Sequence, residues 1–395
     1  EATDRLEAVL ADAVRLQSIA DVPLGAFLSG GVDSSSVVAL MSESSAAPVT
    51  SCSIGFDVES VDETAYARQV AKLFPTDPHE RIVSSDQFGD IDRIAAIFDE
   101  PFADASALPT LRVCELAREH VTVALSGDGA DEAFAGYRRQ AFHAREEQVR
   151  SVLPSGLREP VFGTLGRLGP KADWAPRPLR AKTTLLSLGG SGEAGYARAL
   201  AILSPEQREL LYDAAFLRER GDYRAEQPLE KLMRDAPARS GLDRAQYADL
   251  KFWLPGDILT KTDRTSMAVG LEAREPLLDH RLIEFGARLP HRERLRGTSG
   301  KWLMKRTMER YLPDDILYRQ KQGFVTPLAE WFRGPLASEA RAIASSELLT
   351  GNGLVARKAL ARLADEHISG RSDHGRVLWQ LLMLERSLRH LKPSA

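Results

Sequence analysis

The sequence predicts an α/β fold: a doubly wound, mostly parallel sheet with a large helical C-terminal part. Three observations predict it. Apolar runs of strand length alternate with helical periodicities through the first third of the chain, the arrangement that builds parallel sheets covered on both faces. Two of those runs, 24–28 and 121–125, pass directly into turns of glycine, serine and aspartate. Beyond Phe142 strand signals fade and helical ones continue to the end.

Taken in order, Leu6, Val9, Leu10, Ala13 and Val14 recur at helical spacing. Residues 24–28 read as a short buried strand, and 34–41, with Val37, Val38, Leu40 and Met41, as a helix. The run 49–56 (VTSCSIGF) alternates like a strand, 63–73 is helical and 80–83 is a third strand. Helices follow over 90–98 and 108–119, and VTVAL at 121–125 is a fourth strand. Right-handed crossovers place every strand-to-helix turn on one sheet edge, where ligands bind. In the later part Ser204 caps a helix begun by Pro205, a final helix covers 374–391, and GPKADWAPRP and LGGSGEAG punctuate the rest. The expected division is 1–141, a nucleotide-binding α/β part, and 142–395, a helical part packed on it without a polar linker.

Composition narrows the function. A chain of 395 residues, 43% hydrophobic and 27% charged, belongs with water-soluble globular proteins, and no apolar run approaches the roughly 20 residues that span a bilayer. A net charge of -4 argues against a broad nucleic-acid footprint and points to small-molecule partners. Two distant cysteines, Cys52 and Cys114, make neither a disulfide framework nor a thiolate metal site, which fits a reducing cytoplasm. Glu1 opens into a helix without signal-peptide features, and the missing initiator Met suggests a fragment or a processed chain.

The chemistry is concentrated in LGAFLSGGVDSSS, 24–36. Gly30 and Gly31 let the main chain approach a ligand. Ser29, Ser34 and Ser35 offer hydroxyls, and the unpaired first amides of the next helix favour an anion. Asp33 repels phosphate unless a divalent cation bridges them, so the turn reads as a site for a Mg2+-bound di- or triphosphate. An ordinary capped turn uses similar residues, but the flanking strand and helix favour the phosphate site, and no Walker A pattern occurs. SGDGADEAFAGY, 126–137, repeats the logic, and on the same edge Asp131 reaches the metal of Asp33. Asp128 is then a candidate for orienting an amine or stabilising a cationic group. An acidic helix N-terminus is the alternative account of this second loop, one that the first loop beside it disfavours.

The S-G-G-x-D-S turn resembles the pyrophosphate loop of the ATP pyrophosphatases. Together with IGF, DEPFADASALPT, LSGDGADEAFAGY, DRTSMAVGLEAREPLLDH and YRQKQGF, in that order, it resembles the synthetase domain of glutamine-dependent asparagine synthetases. The resemblance implies a sheet of the adenine-nucleotide alpha-hydrolase type, ATP and Mg2+ as cofactors, and formation of asparagine from aspartate and ammonia through a beta-aspartyl adenylate. It implies that Ser29, Gly30, Gly31, Asp33, Ser34 and Ser35 hold pyrophosphate and Mg2+, with Asp131 completing the metal set. Phe27, Leu28 and Ile54 then flank the adenine or ribose, Ser126 and Gly127 contact the nucleotide, and Lys321 stabilises charge on the alpha phosphate. A glutaminase domain or subunit and a homodimer are partners it leaves open. Related ligases acting on a peptide, a uronate or an internal amine are the alternative, and a non-catalytic nucleotide-binding module is a third.

This chain departs from the family pattern in three respects. Asp128 stands where Glu is common, Glu275 replaces an apolar residue between Arg274 and Pro276, and no N-terminal cysteine nucleophile precedes the synthetase part. The expectation is a chain lacking its glutaminase domain, or one using free ammonia. ADWAPRPLRAKTT and LPGDILTKTDRTSM are most like the exopolysaccharide- and exosortase-associated amidotransferases. Gly190, Gly192 and Gly195 match G-x-G-x-x-G without its context and read as a flexible connector. His79 reads as a strand-end residue, Trp253, Trp302, Trp331 and Trp379 as core, and the polar, Gly323-containing loop around Lys321 as mobile.

Overall fold

The computed structural model describes residues 1–58, 62–83, 90–168, 182–319 and 326–391. After helix α1 (Ala2–Gln17), the chain forms β1 (Leu24–Phe27), α2 (Val32–Ser44), β2 (Val49–Phe56), α3 (Thr64–Leu73) and β3 (Thr76–Val83). It continues through α4 (Asp90–Ile97), α5 (Ala107–Arg118), β4 (Val123–Leu125), the single turn α6 (Ala130–Ala133) and α7 (Arg138–Val152). Helices predominate in the rest of the described chain, joined by β5 (Glu272–Arg274) and a two-residue hairpin, Leu295–Arg296 with Ser299–Gly300.

All five main strands are parallel, in the order β3-β2-β1-β4-β5. Parallel strands are buried on both faces because their crossovers lay helices there. Successive residues accordingly feed opposite cores. Ala124 of β4 joins the cluster of Phe56, Leu111, Trp331 and Trp379, while Leu125 joins that of Leu10, Val38, Val70 and Met304. The chain moves outward from β1 to β3 and then returns to β4 on the other side of β1. The turns after β1 and β4 therefore leave the sheet where the winding reverses, opening the crevice in which such sheets bind ligands.

The structure amends four expectations. A fifth strand comes from the C-terminal part, its Leu125 to Arg274 pairing extended by the Ser126 amide, which donates to the Arg274 carbonyl at 2.8 Å. β3 begins at Thr76, so His79 lies inside the strand, its ring stacked 3.5 Å from that of His120. Gly192 and Gly195 belong to a helix capped by the Ser191 hydroxyl rather than to a connector. Of the four tryptophans read as core from sequence, Trp331 and Trp379 are core residues, whereas Trp253 and Trp302 are half-buried under the guanidinium groups of Arg139 and Arg296.

Candidate active site

The first turn is shaped by contact rather than by sequence alone. Gly30 adopts φ +69°, and a Cβ there would lie 2.5 Å from the Ala67 nitrogen, so only glycine fits against α3. The Ser29 amide donates to the Ser34 hydroxyl at 3.1 Å, and the two serine hydroxyls lie 3.0 Å apart. Ser35 is fully buried and its hydroxyl has no partner among the described residues. Leu28 is buried, its amide donating to the Cys52 carbonyl at 2.9 Å and its carbonyl accepting from the Ser53 hydroxyl at 2.7 Å. Phe27, half-buried, and Ile54, buried, lie on the neighbouring strands β1 and β2.

The second loop packs directly on the first. A Cβ on Gly127 would sit 2.6 Å from the Ser34 nitrogen, so the absence of a side chain lets the two turns touch. Gly129, at φ +104°, then opens α6, which carries Asp131. Asp33 and Asp131 meet on one ammonium group: Lys301 Nζ lies 2.5 Å from Asp33 Oδ2 and 2.7 Å from Asp131 Oδ1, and its side chain is only 3% exposed. Nothing in the local sequence marks Lys301 as a site residue. Its backbone is left-handed, φ +57°, and its amide donates to the Phe134 carbonyl at 2.8 Å. Ala135, φ 55°, is the other non-glycine residue with positive φ among the described residues, so backbone strain is concentrated where the two segments dock.

Behind α6 the support is polar and buried. Tyr137 donates to Glu132 Oε1 at 2.6 Å, and Gln246 Nε2 donates to the carbonyls of Glu132 and Ala133 at 2.7 and 3.1 Å. Burial, with the adjacent Asp131 charge, pushes Glu132 up to about 7.

Asp128 faces a different set of groups. Its Oδ2 accepts from the Ser126 hydroxyl at 3.0 Å and the Thr262 hydroxyl at 3.2 Å. Nearby, Lys261 Nζ lies 2.7 Å from both Asp104 Oδ2 and the Ser106 hydroxyl. Burial pushes Asp104 up, yet the Lys261 charge and the hydrogen bonds from Lys261 and Ser106 hold it below the ordinary carboxylate range. Glu275, immediately after β5, is pushed up to about 8 by burial and by the charges of Asp128 and Asp263. Asp257, on a π-helical stretch (Asp249–Leu259), rises to about 7 by burial and by Asp104. The lobe around Asp128 is therefore acidic, with two carboxyls that hold protons near neutrality.

Two carboxylates aimed at one point, beside a turn rich in amides and hydroxyls, are a donor set suited to Mg2+, which takes one or two protein carboxylates and completes its shell with water and phosphate oxygens. Among the described residues no group of three or more His, Cys, Asp or Glu side chains is placed to hold a metal. Two protein ligands are what this site offers.

Residues 5–389 match the family profile described as asparagine synthase. The chain belongs to the asparagine synthase family. Its relatives include a putative asparagine synthetase [glutamine-hydrolyzing] of Mycobacterium tuberculosis (strain ATCC 25618 / H37Rv), 34% identical over 386 residues, covering 96% of this chain and 56% of the relative. Asparagine synthetase [glutamine-hydrolyzing] 1 of Bacillus subtilis (strain 168) is 27% identical over 376 residues, 94% of this chain and 57% of that one. A more distant relative, amidase chyE of Penicillium rubens, is 25% identical over 88% of this chain and 55% of its own length. The chain thus spans little more than half the length of the curated relatives it matches.

Against the asparagine synthase pattern, the structure gathers Ser29, Gly30, Gly31, Asp33, Ser34, Ser126, Gly127, Asp128 and Asp131 around the two adjoining turns, with Ser35 buried beneath them. Lys321 and Gly323 lie outside the described residues. No helix among the described residues is long and apolar enough to cross a membrane.

Proposed function

We propose that this chain is the synthetase part of an ATP-dependent amide ligase that makes asparagine from aspartate and ammonia. The observation that carries the reading is the convergence of Asp33 and Asp131 on one point between two touching turns at the winding switch of the sheet. In the proposed reaction an oxygen of the substrate's side-chain carboxylate attacks the alpha phosphorus, the bond to the bridging oxygen breaks, and pyrophosphate leaves. Ammonia then attacks the acyl carbon, loses a proton, and AMP departs with the bonding pair.

Ser29, Gly31 and the first amides of α2 bind the outer phosphates, and Asp33 and Asp131 hold Mg2+, whose charge offsets that of the triphosphate. Lys301 keeps the two carboxylates aligned and neutralises part of their charge. Lys321 is assigned to the alpha phosphate, where a preorganised cation matters most. Asp128, fixed by Ser126 and Thr262, orients the incoming amine. Glutamine as the ammonia source requires a glutaminase domain or subunit beyond these residues.

The test is product analysis with ATP, Mg2+, aspartate and ammonia. The expected result is AMP and pyrophosphate in equal amounts with aspartate-dependent exchange of labelled pyrophosphate into ATP; ADP as the product sinks the reading. A second reading keeps the adenylation and changes the acceptor acid. It is favoured by Glu275, an acidic residue beside Asp128 in the lobe where the acceptor must lie. A panel of carboxylic acids, read by AMP release, separates the two.

A further inference from the structure

Arg319 is bound to three elements at once. Its Nη1 lies 2.5 Å from Glu63 Oε1, at the N-terminus of α3, its Nε donates to the Gly30 carbonyl at 3.3 Å, and its guanidinium carbon sits 4.3 Å from the centre of the Tyr66 ring. The Arg319 and Glu63 side chains are 10% and 14% exposed. These contacts fix the plane of the fork, and none of them uses Nη2. That nitrogen points toward the phosphate turn, 3.9 Å from where a Cβ on Gly31 would stand. Gly31 is the N-cap of α2, without a side-chain cap. An arginine stays charged at any physiological pH and presents paired N–H donors that match phosphate oxygens. A fork held over an aromatic ring, with a nitrogen that bonds no described residue beside an amide-lined turn, has little left to organise when an anion arrives.

We propose that Arg319 is a binding residue for the leaving pyrophosphate, contacting it through Nη2 while the Tyr66 ring and the Gly30 carbonyl hold the guanidinium in place. The assignment rests on the adenylating reading above and adds a side chain to it. Arg319 acts on the outer phosphates, so it discriminates ATP and pyrophosphate from AMP.

The experiment is calorimetric titration of the purified chain with Mg2+-pyrophosphate and, separately, with AMP, for wild type, R319Q, R319K and E63Q, with melting temperatures recorded for all four. Loss of one charge-assisted contact is expected to weaken pyrophosphate binding ~10- to 100-fold in R319Q, with AMP affinity within about twofold of wild type. R319K, keeping charge without the fork, falls between. E63Q, which leaves Arg319 and its ring stack intact, retains most of the pyrophosphate affinity. Unchanged pyrophosphate binding in R319Q overturns the assignment. So does an equal loss in E63Q, because Arg319 would then act only as a brace between α3 and the turn. Parallel losses for AMP and pyrophosphate also reject it. Failure of the wild type to release AMP in the product assay defeats the adenylation reading, while the pyrophosphate titrations still decide the role of Arg319.

Discussion

Replacing Lys301 by methionine keeps an unbranched side chain of similar length and removes the charge that Asp33 and Asp131 share. The ammonium is 3% exposed and each carboxylate 14%, so the two acids and the ammonium that joins them are nearly buried. Breaking a buried pair by deleting one partner costs ~3–5 kcal/mol, and residual exposure of both carboxylates argues for the lower end. At about 2.1 cal/mol/K per residue, a chain of 395 residues then melts ~4 °C lower for a loss of ~3 kcal/mol. Removing the Lys301 ammonium leaves more negative charge between the two acids, which favours a divalent cation, so millimolar Mg2+ should raise the melting temperature of K301M more than that of wild type. Melting curves with and without Mg2+ are the assay. A shift below ~1 °C, or the same Mg2+ response in both proteins, refutes the shared-cation argument.

Other consequences concern single contacts. G127A places a methyl 2.6 Å from the Ser34 nitrogen, backbone that has no side-chain freedom to yield. It is expected to cost ~1–3 kcal/mol and to lower ATP affinity at least ~10-fold, because the turns are forced apart; a variant melting and binding like wild type contradicts their contact. Glu275 rises from 4.5 to about 8 in the folded chain. A raised carboxyl binds its proton more tightly folded than unfolded, so its contribution is fully present below pH 4.5 and is lost as pH climbs through about 8. E275Q should accordingly lose part of the alkaline destabilisation, seen as a smaller fall in melting temperature between pH 6 and pH 9 in denaturation scans; identical slopes count against the burial of that group. Burial pushes Cys52 and Cys114 up to about 12, so neither should react with a thiol reagent at pH 8 until the chain is unfolded, when both label.

The parts of this molecule that could be read from sequence are those whose physics is local. Each inner strand is an apolar run because both of its faces are covered, and each of the two site turns follows its strand directly, so LGAFLSGG and VTVALSGD carry strand, turn and the proposed phosphate-site residues consecutively. The strand β5 escaped because an edge strand needs no apolar run. Its three residues, Glu272, Ala273 and Arg274, alternate charge and alanine, and charged side chains are how sheets protect an edge. The chain reaches it only after a long helical excursion, so no alternation of strand and helix announces it.

Lys301 escaped for a different reason. A lysine is ordinarily a surface residue, and nothing in its own neighbourhood says that it will lie 3% exposed between two aspartates. Its placement is made by glycines on both partners. A Cβ on Gly300 would meet the Ala135 carbonyl at 2.0 Å, and one on Gly136 would meet Lys301 Cε at 2.2 Å. The usable signal was therefore a pair, Gly300 before Lys301 and Gly136 after the acidic loop, each meaningful only once the other is known to face it. The sheet reverses its winding between β1 and β4, which sets the two turns side by side; Gly127 lets them touch; and the 299–301 segment, docked through Gly300, brings one cation to the two acids that the turns present. A carboxylate on either turn alone is an ordinary helix N-terminal acid. Two of them held to one point constitute a site, and that property belongs to the strand order rather than to either motif.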